Sequence, residues 1–369
     1  MRVLNITTVG MTMRFFINYI KALEENGHTV DIACNNSNND IPEFYNKNGN
    51  KQFQISCSRS PFSFGNFKAI REIKKIVEAG DYDVVHCHTP IAAACTRIAC
   101  RKARKKGVKV IYTAHGFHFY KGAPKANWMI FYPIEKLCAH FTDVLITINK
   151  EDYALAQKKL KVKKIEYVPG VGIDISKFAD CKVDKSAKRK ELGIAENAFL
   201  MLSVGELNKN KNHESVIRAL AKIEDKNLYY IIAGEGDLKD YLLNLADELG
   251  VRERVKLLGQ RSDVKELYKT ADLYLHPSYR EGLPVAVVEA LASGVPIACT
   301  NIRGNADVVR DGINGILVAA NDVNGFKNAI VKIMNDSGDI AKTNSEDAKV
   351  FGVAAVNERM FDIYFGQEN

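Results

Sequence analysis

One feature constrains the fold more than any other: a short apolar run, then a helical stretch, repeated almost throughout the chain. Residues 3–9 read as a buried-type strand. Residues 14–26 follow as a helix, with Phe15, Phe16, Tyr19, Ile20 and Leu23 at helical spacing. Gly27 stands where a helix C′ glycine belongs, and residues 28–34 read as the next strand. Residues 84–87, 108–113 and 144–148 are further short β-rich runs with helical stretches between them. Such alternation calls for a parallel sheet covered by helices on both faces.

The pattern then starts again. Residues 199–204, 228–233, 255–258, 273–275 and 295–299 read as strands, with helices over 214–223 and 239–249. A chain of 369 residues is too long for one typical core. The restart therefore predicts an α/β protein of two Rossmann-like, doubly wound domains, residues 1–175 and 186–350, facing a cleft. The hinge is placed between Pro169 and about Lys190, where two glycines, a proline and mixed charge interrupt the pattern. Residues 351–369 include an amphipathic stretch with Met360, Phe361 and Tyr364, expected to return to the first domain as a helix. Doubly wound sheets take ligands at the carboxyl ends of their strands, so the cleft is the expected site.

Charge is unevenly divided. Residues 1–178 hold 27 Lys and Arg against 15 Asp and Glu, whereas the remainder is mildly acidic within a net charge of +8. A basic first half suggests an anionic partner for that domain. Arg97, Arg101, Lys102, Arg104, Lys105, Lys106 and Lys109 form a run on and after one helix, and Lys158, Lys159, Lys161, Lys163 and Lys164 form another. The first run has no interleaved aromatics, so an anionic membrane surface is preferred over nucleic acid. No stretch of about 18 uncharged apolar residues is present. The run after Met1-Arg2 is too short for a signal core, so a cytoplasmic protein is expected, peripheral on the inner face of the membrane. The eight cysteines follow no repeating spacing and sit mostly in apolar segments, as reduced thiols do.

The most informative stretch is His276-Pro-Ser-Tyr-Arg-Glu281-Gly-Leu-Pro-Val-Ala-Val-Val-Glu289-Ala-Leu-Ala-Ser-Gly294. A strand ends just before it. Pro284 suits a first helical turn, and Gly294 ends the helix. Gly282 lets backbone N–H groups approach a ligand, and a helix N-terminus after a strand suits a diphosphate. Glu281 reads either as a helix cap or as a ligand contact. Glu289 lies among Val285, Ala286, Val287, Val288, Ala290 and Leu291, and a carboxylate so placed needs a partner.

This segment resembles the E-x7-E motif of retaining glycosyltransferases of the GT-B fold, in the family 4 group that makes bacterial exopolysaccharide and capsule. Asp174-Ile-Ser-Lys-Phe178, Ser203-Val-Gly205-Glu-Leu, Lys211-Asn-His, Ala233-Gly-Glu-Gly236, Leu258-Gly-Gln-Arg261 and Asn314-Gly315-Ile-Leu-Val resemble its other stations, in order. The resemblance implies that Glu281 contacts hydroxyls of the transferred sugar and Glu289 the ribose of the nucleotide. Gly282, Leu283 and Pro284 would hold the donor phosphates, Lys211 would neutralise the departing diphosphate, and Gly259, Gln260 and Arg261 would lie along the base. The family usually carries an arginine after the glycine of the phosphate loop, where this chain has Glu206. Either Arg303 or Arg280 then supplies a second charge beside Lys211 and the nearby Lys209, or Glu206 has another task.

In the first half, Gly10 closes the first strand and matches a donor-side turn more weakly, a tight turn being the alternative. His115 follows a strand in Tyr112-Thr-Ala-His115-Gly-Phe-His118. It reads as a core histidine or, by the resemblance, as the histidine that touches the donor sugar and the reacting centre, with His118 nearer the acceptor. Phe117, Phe119, Tyr120, Trp128, Met129, Phe131 and Tyr132 offer an aromatic surface for a lipid-linked acceptor. His86-Cys-His88 lacks further metal ligands at suitable spacing, and Asp81-Tyr-Asp83 precedes its strand, so it reads as a turn.

The expected reaction is transfer of a hexose or N-acetylhexosamine from a nucleoside diphosphate sugar, UDP favoured, to a lipid-linked or oligosaccharide acceptor. No cofactor or metal is expected. The alternatives are a sugar-nucleotide epimerase on the same architecture and a non-catalytic sugar-binding protein. An oxidoreductase is disfavoured, because neither Gly170-Val-Gly172 nor Gly234-Glu-Gly236 completes G-x-G-x-x-G.

Overall fold

The computed structural model describes residues 1–335, 340–341 and 344–366. The chain divides into two compact units, one built from Met1–Gly172 with the segment from Val353 onward, the other from Ile173–Gly352.

The first unit is a parallel sheet of seven strands among the described residues: β1 (Arg2–Val9), β2 (Thr29–Asn35), β3 (Gln52–Gln54), β4 (Val84–His88), β5 (Lys109–Ala114), β6 (Val144–Thr147) and β7 (Lys164–Tyr167). Their order is β3-β2-β1-β4-β5-β6-β7. The chain is therefore doubly wound, with its topological switch between β1 and β4. The five central strands are apolar on both faces because each face is covered. One core layer lies under the helices Gly65–Ala79, Pro90–Arg104 and Lys125–Ala139. The other gathers Phe16, Tyr19 and Ile20 with Val356, Met360 and Tyr364 of the helix Val353–Phe365.

The second unit repeats the plan with β8 (Phe199–Val204), β9 (Leu228–Ala233), β10 (Val255–Leu257), β11 (Leu273–His276), β12 (Ile297–Thr300) and β13 (Ile316–Val318), in the order β10-β9-β8-β11-β12-β13. Its switch lies between β8 and β11. The helix Val285–Ser293 buries Val287, Val288, Ala290, Leu291 and Ala292 completely, at about 1.5–3 kcal/mol for each valine or leucine. Gly294, at φ 75°, ends it in the left-handed conformation a C′ glycine supplies.

Three strands escaped the sequence reading: β3, β7 and β13. All are sheet edges, short, and none is buried along its whole length, so none has the continuous apolar run of a central strand. The first helix also starts differently. Residues Gly10–Phe16 form a 3-10 segment, and the α-helix covers only Ile17–Glu25. Within residues 173–191 the chain forms two helices, Ile175–Ala179 and Lys185–Glu191, N-capped by Asp174 and Asp184, and Ile173 and Phe178 enter the core of the second unit. All eight cysteines are free thiols, seven of them buried.

Candidate functional site

At the switch point of the second unit, the segments leaving β8 and β11 meet. The Lys211 ammonium donates to Glu281 Oε1 at 2.7 Å. His276, the last residue of β11, brings Nε2 within 3.0 Å of the same oxygen, and the Tyr274 hydroxyl lies 3.1 Å from its Nδ1. These contacts assign the tautomer: Nδ1 accepts from Tyr274, and Nε2–H donates to Glu281. Burial lowers the His276 pKa against the pull of Glu281, which keeps the ring neutral near pH 7. Burial alone would raise the Glu281 carboxyl, but the His276 hydrogen bond and the Lys211 charge outweigh it and hold the pKa at about 2. Glu281 is thus an ionised, acceptor-only group with fixed partners.

The two loops are joined by backbone and side-chain bonds. Asn212 Nδ2 donates to Pro277 O at 3.1 Å, Asn210 Nδ2 to Arg280 O at 3.0 Å, and Tyr279 N to Asn210 O at 2.8 Å. Asn212 adopts φ 52°, a left-handed turn asparagine tolerates. Glu206 is exposed and accepts from Asn208 Nδ2 at 2.8 Å, while Asn208 Oδ1 accepts from Lys211 N at 3.0 Å. Its carboxylate therefore braces the turn that presents Lys211. Gly205 lies flat against Gly234, where a Cβ would stand 1.9 Å from Gly205 O, which explains why the Ala233-Gly-Glu-Gly236 loop needs glycine there.

Gly282, Leu283 and Pro284 lead directly into the helix Val285–Ser293. Pro284 sits one residue earlier than expected, as the N-cap, and its carbonyl accepts from Val287 N and Val288 N at 3.0 and 3.2 Å. Gly304 packs against this approach, since a Cβ there would stand 2.5 Å from Gly282 O. Two turns on, Glu289 Oε2 accepts from the Tyr268 hydroxyl at 3.1 Å. Burial raises the Glu289 carboxyl to about 7, with the Tyr268 hydrogen bond opposing it. Gly259 accepts from Gly234 N at 2.8 Å, and Gln260 is exposed. The Arg261 guanidinium is committed to Asp263 and Glu191 at 2.6–2.8 Å, so the backbone is what this stretch offers a ligand.

In the first unit, Gly10 follows β1 at its switch point, and a Cβ there would stand 2.4 Å from Oδ1 of the Asp40 side chain. His115, after β5, brings Nε2 within 3.1 Å of His88 Nδ1, and His88 Nε2 lies 3.3 Å from the Tyr19 hydroxyl. The Phe16 ring stacks on His88 at 3.9 Å. Burial lowers the pKa of His115 to about 4 and of His86 to about 3, and pushes His88 well down as well. All three are neutral near pH 7. His86 holds Tyr364 and Thr113 at 2.7 Å each, which ties the last helix to the sheet.

The surface expected of the first unit needs correction. Arg97 is buried and makes a two-pronged ion pair with Glu135 at 2.8 and 3.0 Å. Arg104 pairs with Asp143, and Lys109 bonds the carbonyls of Ile363 and Tyr364. Only part of that run is available to a partner, because a guanidinium at an inward helical position must find a buried counter-charge. Phe117 and Phe119 are likewise core residues, stacked on each other at 4.7 Å. Asp83 accepts from Arg2 N at 2.7 Å and Asp81 has φ 45°, so this pair builds a turn. His276, Tyr274, Tyr268, Asn210 and Asn212 were missed. The alternating Tyr274-Leu-His276 at the end of a buried strand was the available signal.

The chain matches the family model for glycosyl transferases group 1 over residues 184–350 and that for glycosyl transferase 4-like proteins over residues 3–149. It is 36% identical to EpsD of Bacillus subtilis (strain 168), a protein with a glycosyltransferase name, over 95% of this chain and 92% of that one. It is 30% identical to the UDP-Gal:alpha-D-GlcNAc-diphosphoundecaprenol alpha-1,3-galactosyltransferase of Escherichia coli, over 83% and 80%. The fold matches that of Anabaena Alr3699/HepE in complex with UDP, with TM-score 0.82, 21% identity, and coverage of 98% and 99%.

Proposed function

The chain belongs to the glycosyl transferase group 1 family, and from that premise we propose that it transfers a hexose or N-acetylhexosamine from a UDP-sugar, with retention, to a lipid-linked or saccharide acceptor in surface polysaccharide synthesis. The Lys211–Glu281 contact at the mouth of the second sheet carries this reading. Glu281, ionised, accepts from hydroxyls of the sugar. Lys211 stands where negative charge grows on the diphosphate as the glycosidic bond breaks, and a fixed cation stabilises that charge without reorganising. The N-terminus of the helix Val285–Ser293 adds its dipole to the same phosphates. Glu289 takes the ribose hydroxyls. His115, neutral and oriented by His88, contacts the donor sugar at the reacting centre.

UDP is favoured as the nucleotide because the structurally similar Anabaena protein holds it. A lipid-linked acceptor is favoured because the Escherichia coli relative is named for one. Among the described residues no helix is long and apolar enough to cross a membrane. A thermal-shift panel of UDP-, GDP- and TDP-sugars tests the donor, since a bound donor stabilises the fold by mass action. Turnover of a UDP-sugar that survives Glu281→Ala would sink the assignment. A new UDP-sugar formed without acceptor would point to the epimerase instead.

A further inference from the structure

The segment from Arg59 to Lys75 sits apart from every feature used so far. It runs from the loop after β3 into the helix Gly65–Ala79, at the carboxyl edge of the first sheet. Phe62, Phe64 and Phe67 are exposed to 77%, 89% and 67%. Three large rings turned into water within six residues are not ordinary scatter of surface apolar groups.

The exposure does not come from a loose loop. Asn66 is buried and staples the segment: its Oδ1 accepts from Ser58 N at 3.0 Å and its Nδ2 donates to Ser60 O at 2.9 Å. Gly65 seats the helix start against Ser56, where a Cβ would stand 2.7 Å from the carbonyl. The fold thus holds the rings outward.

Arg59, Lys68 and Arg71 flank them in the chain, and Lys74 and Lys75 follow about two turns along the same helix, all exposed. Glu72 accepts from Ser56 N at 2.7 Å and Ser56 Oγ at 3.0 Å and also stands 3.7 Å from Lys68 Nζ, and Glu78 stands 3.7 Å from Lys74 Nζ, so the five cations of the segment face two nearby carboxylates and leave it net positive. Exposed rings beside cations suit insertion at a headgroup boundary, and the lipid-linked acceptor proposed above favours a bilayer over nucleic acid as the occupant. A second copy would bring like charges together.

We propose that the Phe62–Phe67 segment is the surface by which this protein docks on an anionic lipid bilayer, the rings entering the headgroup boundary and the cations meeting lipid phosphates. The proposal deepens the reading of a membrane-held acceptor and rests on it. It also relocates the contact: the cations flanking the phenylalanines, and not the run beginning at Arg97, make it. A bilayer held here would present its headgroups at the sheet edge that carries His88 and His115.

The test is co-sedimentation of the full chain with vesicles of phosphatidylcholine alone or mixed with phosphatidylglycerol, paired with the UDP-induced thermal shift. The expected result is binding that needs phosphatidylglycerol. It should fall at least about tenfold in Phe62→Ser/Phe64→Ser/Phe67→Ser, with the UDP shift unchanged. Lys68→Glu/Arg71→Glu should lose the preference for the anionic vesicles, and Lys158→Ser/Lys159→Ser should bind like the parent. Equal vesicle binding by the triple-serine variant and the parent overturns the proposal, as does a parent that binds neither vesicle. A ring-dependent capture of RNA without vesicle binding overturns it too. Absence of the UDP shift in every variant, with ring-dependent vesicle binding intact, would strike the donor reading and leave this one standing.

Discussion

Lys211 and Glu281, 70 residues apart in the chain, share a hydrogen bond of 2.7 Å at the carboxyl edge of the second sheet. The pair acts as one device, because the other partner of Glu281, His276, is neutral near pH 7. Lys211→Met leaves a desolvated carboxylate without its cation and a leaving diphosphate without its counter-charge. We expect kcat/KM for donor turnover to fall by roughly 10²–10³, and a similar fall for Glu281→Gln. The double variant should lose little more than the worse single one, since groups that act as a unit are not additive. Strict additivity in that double-mutant cycle would show that the contact plays no part in turnover.

Glu289 makes donor affinity depend on pH. Burial raises its folded pKa to about 7, from the 4.5 usual for a glutamate. The unfolded chain releases this proton first, so the group subtracts stability as pH rises from about 4.5 through 7, and Glu289→Gln should flatten that loss. Ribose hydroxyls donate best to the ionised form. UDP should therefore bind more tightly as pH rises from 6 to 8, by up to about tenfold, with release of a proton near neutrality. Calorimetry in buffers of different ionisation enthalpy reads that proton directly. A pH-independent affinity in the parent protein would rule out a carboxylate contact to the ribose.

The buried histidines of the first unit predict acid sensitivity. His86 and His115 have folded pKa values of about 3 and about 4, and His88 is also lowered, against 6.5 in the unfolded chain. Below pH 6.5 the unfolded state binds protons that the folded state refuses, so stability is present above that pH and is lost as pH falls toward 4. Each histidine contributes a slope of about 1.4 kcal/mol per pH unit in that window. Urea titrations at a series of pH values should show a slope near three such protons from these residues, reduced by about one in His86→Gln. An unchanged slope in that variant would mean that His86 is protonated at no cost in the fold.

Much of this architecture was legible because central parallel strands and the helix from Val285 to Ser293 are buried on both sides and write long apolar runs. Edge strands such as β3, with its Gln-Phe-Gln, write none. The placement of Glu281 just before a helix and of Glu289 within it could be read locally, but most of their partners could not. Lys211 reaches Glu281 because β8 and β11 are neighbours in the sheet, and Tyr268 reaches Glu289 because the helix Val264–Thr270 packs on the helix Val285–Ser293, neither of which local spacing encodes. Charge misled for the same reason. Arg97 looked like part of a basic surface because its counter-ion, Glu135, lies 38 residues away on another helix.

That buried pair supports a last prediction. The Arg97 guanidinium grips both oxygens of Glu135, donates through Nε to Ala93 O at 3.0 Å, and lies 4.1 Å from the centre of the Tyr112 ring. Both side chains are almost wholly out of water, so the attraction mainly offsets the desolvation of two ions. Breaking the pair from one side is different from replacing it. Arg97→Met strands a carboxylate in the core and should cost about 3–5 kcal/mol, as should Glu135→Leu with its stranded guanidinium. Arg97→Met/Glu135→Leu removes both charges at similar volume, and its stability should return to within about 1–2 kcal/mol of the parent. Urea unfolding of the three variants decides it. If the double variant is as unstable as the two singles combined, the two charges are not coupled, each loss comes from other contacts, and the Tyr112 contact becomes the next group to remove.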